Sequence, residues 1–159
     1  MNIIEFGDCR ETMKKWANAG VKAQVCVTSP PYFGLRDYGH EGQIGLEQTP
    51  EEYVAVMVDV FRYVRDVLAD DGTVWLNIGD SNWSASLERE TSVEAMWGNR
   101  RGSDLSDGRE NIPVHNRRGR IPRPKGVKPK DVLGIPWMLA FALRSDGWYL
   151  RQDIIWAKP

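Results

Sequence analysis

The sequence predicts an α/β layered fold with a mostly parallel sheet. Three observations carry that prediction. Short apolar, strand-like runs alternate with stretches of helical spacing along most of the chain. The run "AQVCVT" (23–28) is continuous and rich in β-branched residues, as strands buried in parallel sheets are. Residues 49–68 keep a three/four apolar spacing behind a complete helix-start signal.

In chain order, "NIIEF" (2–6) reads as a short strand closed by Gly7 and Asp8. "CRETMKKWANA" (9–19) has helical spacing, with Met13 and Trp16 on one side and Gly20 as a stop. The strand 23–28 follows, then a loop, then the clearest helix, 49–68. There Thr49 is the N-cap, Pro50 fits the first helical position and Glu52 completes a capping box. Tyr53, Val56, Met57, Val60, Phe61, Val64 and Leu68 form its apolar face, which is read as core packing. "ADDG" (69–72) reads as a turn into the buried strand "TVWLNIG" (73–79).

Residues 81–127 lose all periodicity and are expected to be a long, mobile insertion. Residues 130–147 restore a helix, kinked or delayed at Pro136. Residues 148–159 begin as a strand or hairpin arm. The layout is therefore one layered domain from 1–80 and 128–159, interrupted by 81–127.

Composition limits the function classes. The apolar fraction of 42% and charged fraction of 27% are those of a globular chain with a real core. No apolar run approaches the ~20 residues of a membrane-spanning helix, and "MNIIEFGDCRE" has no secretory signal pattern. Cys9 and Cys26 are too few for a disulfide framework, so a reduced, cytoplasmic protein is expected. His40 and His115 with these two cysteines lack zinc-ligand spacing, and no metal site is expected.

The net charge of −1 hides an asymmetry. Residues 1–80 carry 7 Lys/Arg against 13 Asp/Glu, whereas residues 81–159 carry 14 against 9. The excess lies in "NRRGRIPRPKGVKPK", where Arg117, Arg118, Arg120, Arg123, Lys125, Lys128 and Lys130 stand without an acid. A segment of that kind suits a polyanion, and its cations are expected to contact phosphates.

In parallel sheets ligands bind beyond the carboxyl ends of the strands, which here groups Asp8, residues 29–32 and residues 77–80 on one rim. The second of these groups is chemically unusual. In "TSPPY" the prolines fix φ and cannot join a ladder, so the carbonyls of Ser29 and Pro30, with the Ser29 hydroxyl, form a rigid set of acceptors. Tyr32 adds a flat face beside them. Acceptors next to an aromatic plate suit a planar ring carrying an exocyclic amino group.

"TSPPY" closely resembles motif IV of the amino-group DNA methyltransferases, which methylate adenine N6 or cytosine N4. "IIEFGD", "DGTVWLNIGDS" and "DIIWAKP" are similar to other blocks of that family, in the order of its permuted group with the catalytic half first. The resemblance covers 1–80 and 128–159, about two thirds of the chain. Four blocks in order make a specific signal, and "SPPY" alone a weak one.

The resemblance implies a Rossmann-like methyltransferase fold, S-adenosyl-L-methionine as cofactor and double-stranded DNA with a flipped target base as partner. It implies that Ser29, Pro30 and Pro31 bind the target amine and that Tyr32 stacks on the base. It implies that Asp8 contacts the adenosine part of the cofactor, although Asp8 equally reads as an N-cap or turn residue. Serine rather than aspartate before "PPY" tilts the expected target slightly towards cytosine N4.

Cys26 is not read as a nucleophile, because it lies inside the strand and no Pro-Cys dipeptide exists. The family's Phe-x-Gly-x-Gly cofactor turn is absent from 1–159. The expected protein is therefore the catalytic N-terminal part of a longer or split enzyme, completed by a complementary half or by homodimerisation. The rival expectation is a catalytically inactive domain that binds DNA or a partner subunit.

Overall fold

A computed structural model describes residues 3–83 and 126–157. Five elements follow in chain order: α1 (Cys9–Asn18), β1 (Ala23–Thr28), α2 (Pro50–Val67), β2 (Leu68–Leu76) and α3 (Ile135–Ser145). This is a small α/β arrangement, with a two-stranded parallel sheet and three helices among the described residues. It corresponds to part of a Rossmann-like domain.

Helix α2 organises the rest. The Glu52 N–H donates to Thr49 Oγ1 at 3.1 Å, and the Glu52 carboxylate accepts from the Gln48 N–H at 3.0 Å. The expected capping box therefore forms with its return bond one residue earlier than usual; a cap of this kind contributes about 1 kcal/mol. The apolar stripe of α2 buries Tyr53, Met57, Phe61 and Val64 in one cluster with Phe33, Trp83, Ile135 and Leu139. Helices α1 and α3 both pack on α2. Helix α3 starts at Ile135, one residue before Pro136, so the proline delays the helix rather than kinking it.

β1 and β2 pair in parallel with Val25 opposite Thr73 and Thr28 opposite Leu76, and the Asn77 N–H extends the ladder to the Thr28 carbonyl at 2.9 Å. Parallel pairing sends both chains off the sheet at the same edge.

Four element-level expectations change. The turn at 69–72 lies inside β2 as a bulge: Ala23 pairs with Leu68 and Val25 with Thr73, leaving four residues opposite Gln24. The Gln24 side-chain amide holds the bulge by donating to Asp71 Oδ1 at 2.8 Å. The sheet is covered on one face only among the described residues. Cys26, Val74 and Leu76 pack on the helical cluster, while Val27 is 77% and Trp75 54% exposed on the other side. Residues 3–6 and 148–157 are not strands, because no described strand lies beside them to complete a ladder; Phe6 is 91% and Trp156 81% exposed. No helix among the described residues is long and apolar enough to cross a membrane.

Candidate functional site

The two chains leaving the sheet edge meet. Residues 29–32 follow β1 and residues 77–80 follow β2, and the Tyr32 ring lies against Gly79. A Cβ at Gly79 would stand 2.8 Å from Tyr32 Cε2 and 3.1 Å from Cδ2, so only glycine permits this approach. Gly45 supports the other side. A Cβ there would fall 3.0 Å from the Tyr32 carbonyl oxygen, and its φ of +103° itself favours glycine.

Hydrogen bonds fix the turn from three directions. The Tyr53 hydroxyl, on the first turn of α2, donates to the Pro31 carbonyl at 2.8 Å. The Gly34 N–H donates to the Gly45 carbonyl at 2.7 Å, and the Leu35 N–H to the Tyr32 carbonyl at 3.3 Å. Ser81 Oγ donates to the Phe33 carbonyl at 3.0 Å. Tyr53 is 0% exposed, and burial pushes its phenol up, with the Glu47 charge and Tyr32 adding to the shift. It therefore keeps its proton, and its donor role, across the neutral range.

What remains open is the upper surface. No donor among the described residues reaches the carbonyls of Ser29 or Pro30. The Ser29 hydroxyl stands 3.5 Å from Tyr32 Oη, at the outer limit of a hydrogen bond. Ser29, Pro30, Pro31 and Tyr32 line an open cleft of about 340 Å³ together with Leu35, Arg36 and Tyr38. Among the described residues its lining offers the Ser29 and Pro30 carbonyls, the rings of Tyr32 and Tyr38 and the Arg36 guanidinium. That set suits a flat, amino-bearing ring attached to an anionic chain.

Of the sequence-predicted residues, the structure brings Ser29, Pro30, Pro31 and Tyr32 together. Asp8 stands apart from them, with no hydrogen bond or ion pair to the cleft among the described residues. Its carboxylate caps α1 by accepting from the Arg10 N–H at 2.9 Å and from the Arg10 guanidinium at 2.6–3.2 Å. Those bonds hold the Asp8 carboxyl below the usual carboxylate range. Arg117, Arg118, Arg120, Arg123 and Lys125 lie outside the described residues. Burial pushes the Cys26 thiol up, which disfavours the thiolate that a nucleophile needs.

Sequence reading did not single out Tyr53, Gly79, Arg36 or Tyr38 for the site. Arg36 and Tyr38 had an available signal in the aromatic and basic residues directly after "SPPY". Tyr53 had none, because its ring belongs to a core stripe and its hydroxyl acts 22 residues away.

Comparison with known proteins adds an independent line. A model of the DNA methylase family matches residues 23–159. The type II methyltransferase M.SmaI of Serratia marcescens is 48% identical over 159 residues, which is 98% of this chain and 47% of that protein. The type II methyltransferase M.XycI of Xanthomonas campestris pv. cyanopsidis is 46% identical over 96% of this chain and 45% of its own length. The type II methyltransferase M.SfiI of Streptomyces fimbriatus is 33% identical over 98% of this chain and 30% of its own length. The chain thus spans less than half the length of each of these relatives. No solved structure matches it significantly.

Proposed function

The chain belongs to the DNA methylase family, and from that premise we propose that it carries the amine-binding part of a type II, S-adenosyl-L-methionine-dependent DNA amino methyltransferase. One observation carries the reading: among the described residues no donor reaches the Ser29 and Pro30 carbonyls beside the Tyr32 ring, at the rim of an open cleft.

The work assigned to these residues is positioning and polarisation. An exocyclic amine on a base is a poor nucleophile, because its lone pair is delocalised into the ring. Two carbonyl oxygens accepting its protons favour tetrahedral nitrogen and return the lone pair to it. The acceptors are preorganised, since the prolines fix the backbone and Tyr53 holds the Pro31 carbonyl from below, so little reorganisation accompanies the reaction. Tyr32 stacks on a base turned out of the duplex, and the duplex supplies the anionic chain that the cleft cation suits. Serine at position 29 favours cytosine N4 slightly over adenine N6.

The described residues fit the base better than they fit the cofactor. Asp8 is the residue the family resemblance assigns to S-adenosyl-L-methionine, and both of its oxygens already accept from Arg10.

A second reading has its own support. The sheet face carrying Val27 and Trp75, left uncovered among the described residues, favours a domain that assembles with a complementary half or a second copy. This assembly is compatible with the enzyme reading, and in the absence of methylation it becomes the main function.

The deciding experiment is mass spectrometry of nucleosides from the DNA of cells expressing the full-length protein. The expected product is N4-methylcytosine, with N6-methyladenine supporting the same site and a different base. DNA carrying neither would overturn the proposal.

A further inference from the structure

Three consecutive residues just after β2 each touch a different part of the molecule. Gly79 lies under the Tyr32 ring. Ser81 donates its hydroxyl to the Phe33 carbonyl at 3.0 Å. Asp80, between them, is directed at the start of α3. That helix has Gly134 at its N-cap and therefore no side chain of its own to receive the first amides. The Asp80 carboxylate takes that place from 54 residues upstream. Its Oδ1 accepts from the Gly134 N–H at 3.0 Å and the Ile135 N–H at 3.1 Å, and its Oδ2 accepts from the Gly134 N–H at 3.0 Å. Oδ1 also accepts from the neighbouring Ser81 N–H at 2.8 Å.

Helix α3 is a firm anchor, since Ile135 and Leu139 are fully buried in the common cluster. The clamp is reinforced by the backbone, where the Leu133 N–H donates to the Ser81 carbonyl at 2.9 Å and the Trp83 N–H to the Asp131 carbonyl at 2.8 Å.

We propose that Asp80 is a positioning residue for Tyr32. By capping α3 from the segment that follows β2 it fixes the backbone at Gly79, and that backbone is the floor on which the Tyr32 ring rests. Asp80 sets the tilt of the ring and the depth of the cleft without touching the substrate. The geometry separates this role from proton transfer, because among the described residues every hydrogen bond its carboxylate accepts comes from a backbone amide. The kinetic part of the inference rests on the stacking role proposed for Tyr32.

The test compares Asp80→Ala with Asp80→Asn in the full-length protein, by hydrogen exchange of peptides covering 29–35 and 132–139 and by steady-state methylation. Asp80→Ala should speed exchange in both peptides. It should lower kcat on the order of tenfold to a hundredfold, as misplacement of reacting groups does, with little change in KM for DNA. Asp80→Asn keeps an oxygen that accepts from Ser81, Gly134 and Ile135, and should restore most of the protection and most of kcat. An asparagine variant as inactive as the alanine variant would overturn the proposal in favour of a chemical role for the carboxylate. So would an alanine variant that loosens 132–139 alone while leaving 29–35 and kcat unchanged. If the wild-type protein transfers no methyl group, the proposed function fails, and exchange in 29–35 still decides whether Asp80 seats Tyr32.

Discussion

Replacing Tyr32 by alanine in the full-length protein is expected to lower kcat by roughly 5- to 150-fold while leaving cofactor affinity nearly unchanged. The range follows from losing one aromatic–base stack, about 1–3 kcal/mol, expressed as a rate. The selectivity for kcat follows from position. Tyr32 rests on Gly79 and lines the cleft with Ser29 and Pro30, and among the described residues it has no hydrogen bond to Asp8. Tyr32→Phe keeps the ring and gives up only a hydroxyl 3.5 Å from Ser29 Oγ, so it should retain most of the turnover. Single-turnover kinetics on duplex DNA checks both variants. Unchanged rates for Tyr32→Ala would remove the stacking role.

The second large effect concerns DNA affinity. Arg117, Arg118, Arg120, Arg123, Lys125, Lys128 and Lys130 place seven cations within 14 residues. If five meet phosphates, log affinity falls with log salt at a slope of about −4 to −5. Changing Arg117, Arg118, Arg120 and Arg123 to glutamine should flatten that slope by roughly 3 to 4 units. Over a fourfold rise in salt, the variant should then lose roughly 60- to 250-fold less affinity than the wild type. Fluorescence anisotropy of a labelled duplex across a salt series measures this directly. Parallel slopes for the two proteins would show that the segment does not contact DNA.

Much of the framework was legible because its signals are local. Thr49, Pro50 and Glu52 specify the start of α2 within four residues, and Pro136 specifies where α3 begins. The run 23–28 reads correctly as a strand because β-branched residues leave few alternatives. The expected strands at 2–6 and 148–159 illustrate the limit of such reading. A strand exists only where a neighbour completes its ladder, and no stretch of sequence contains its neighbour. The bulge at 69–72 shows the same limit, since turn residues in sequence can sit between two paired positions of one strand.

The site divides in the same way. Residues 29–32 stood out because two prolines withdraw donors from the backbone, which is a property of the residues themselves. Tyr53 was hidden because its hydroxyl acts on the backbone of Pro31, far along the chain, whereas Asp80 was grouped with the rim and only its hold on Gly134 and Ile135 was hidden. Asp8 was readable both as a cap and as a ligand, and the cap is the role its hydrogen bonds display.

The central claim is that a target base lies on Tyr32 with its amine at the Ser29 and Pro30 carbonyls. Photocross-linking tests this most directly. Once the methylated position is mapped, a photoreactive analogue of that base is placed in a duplex, irradiated with the full-length protein, and the attached peptide is sequenced by mass spectrometry. The account predicts a cross-link within residues 28–39, centred on Tyr32 and lost in Tyr32→Ala. A cross-link confined to aromatic residues outside the cleft would contradict it.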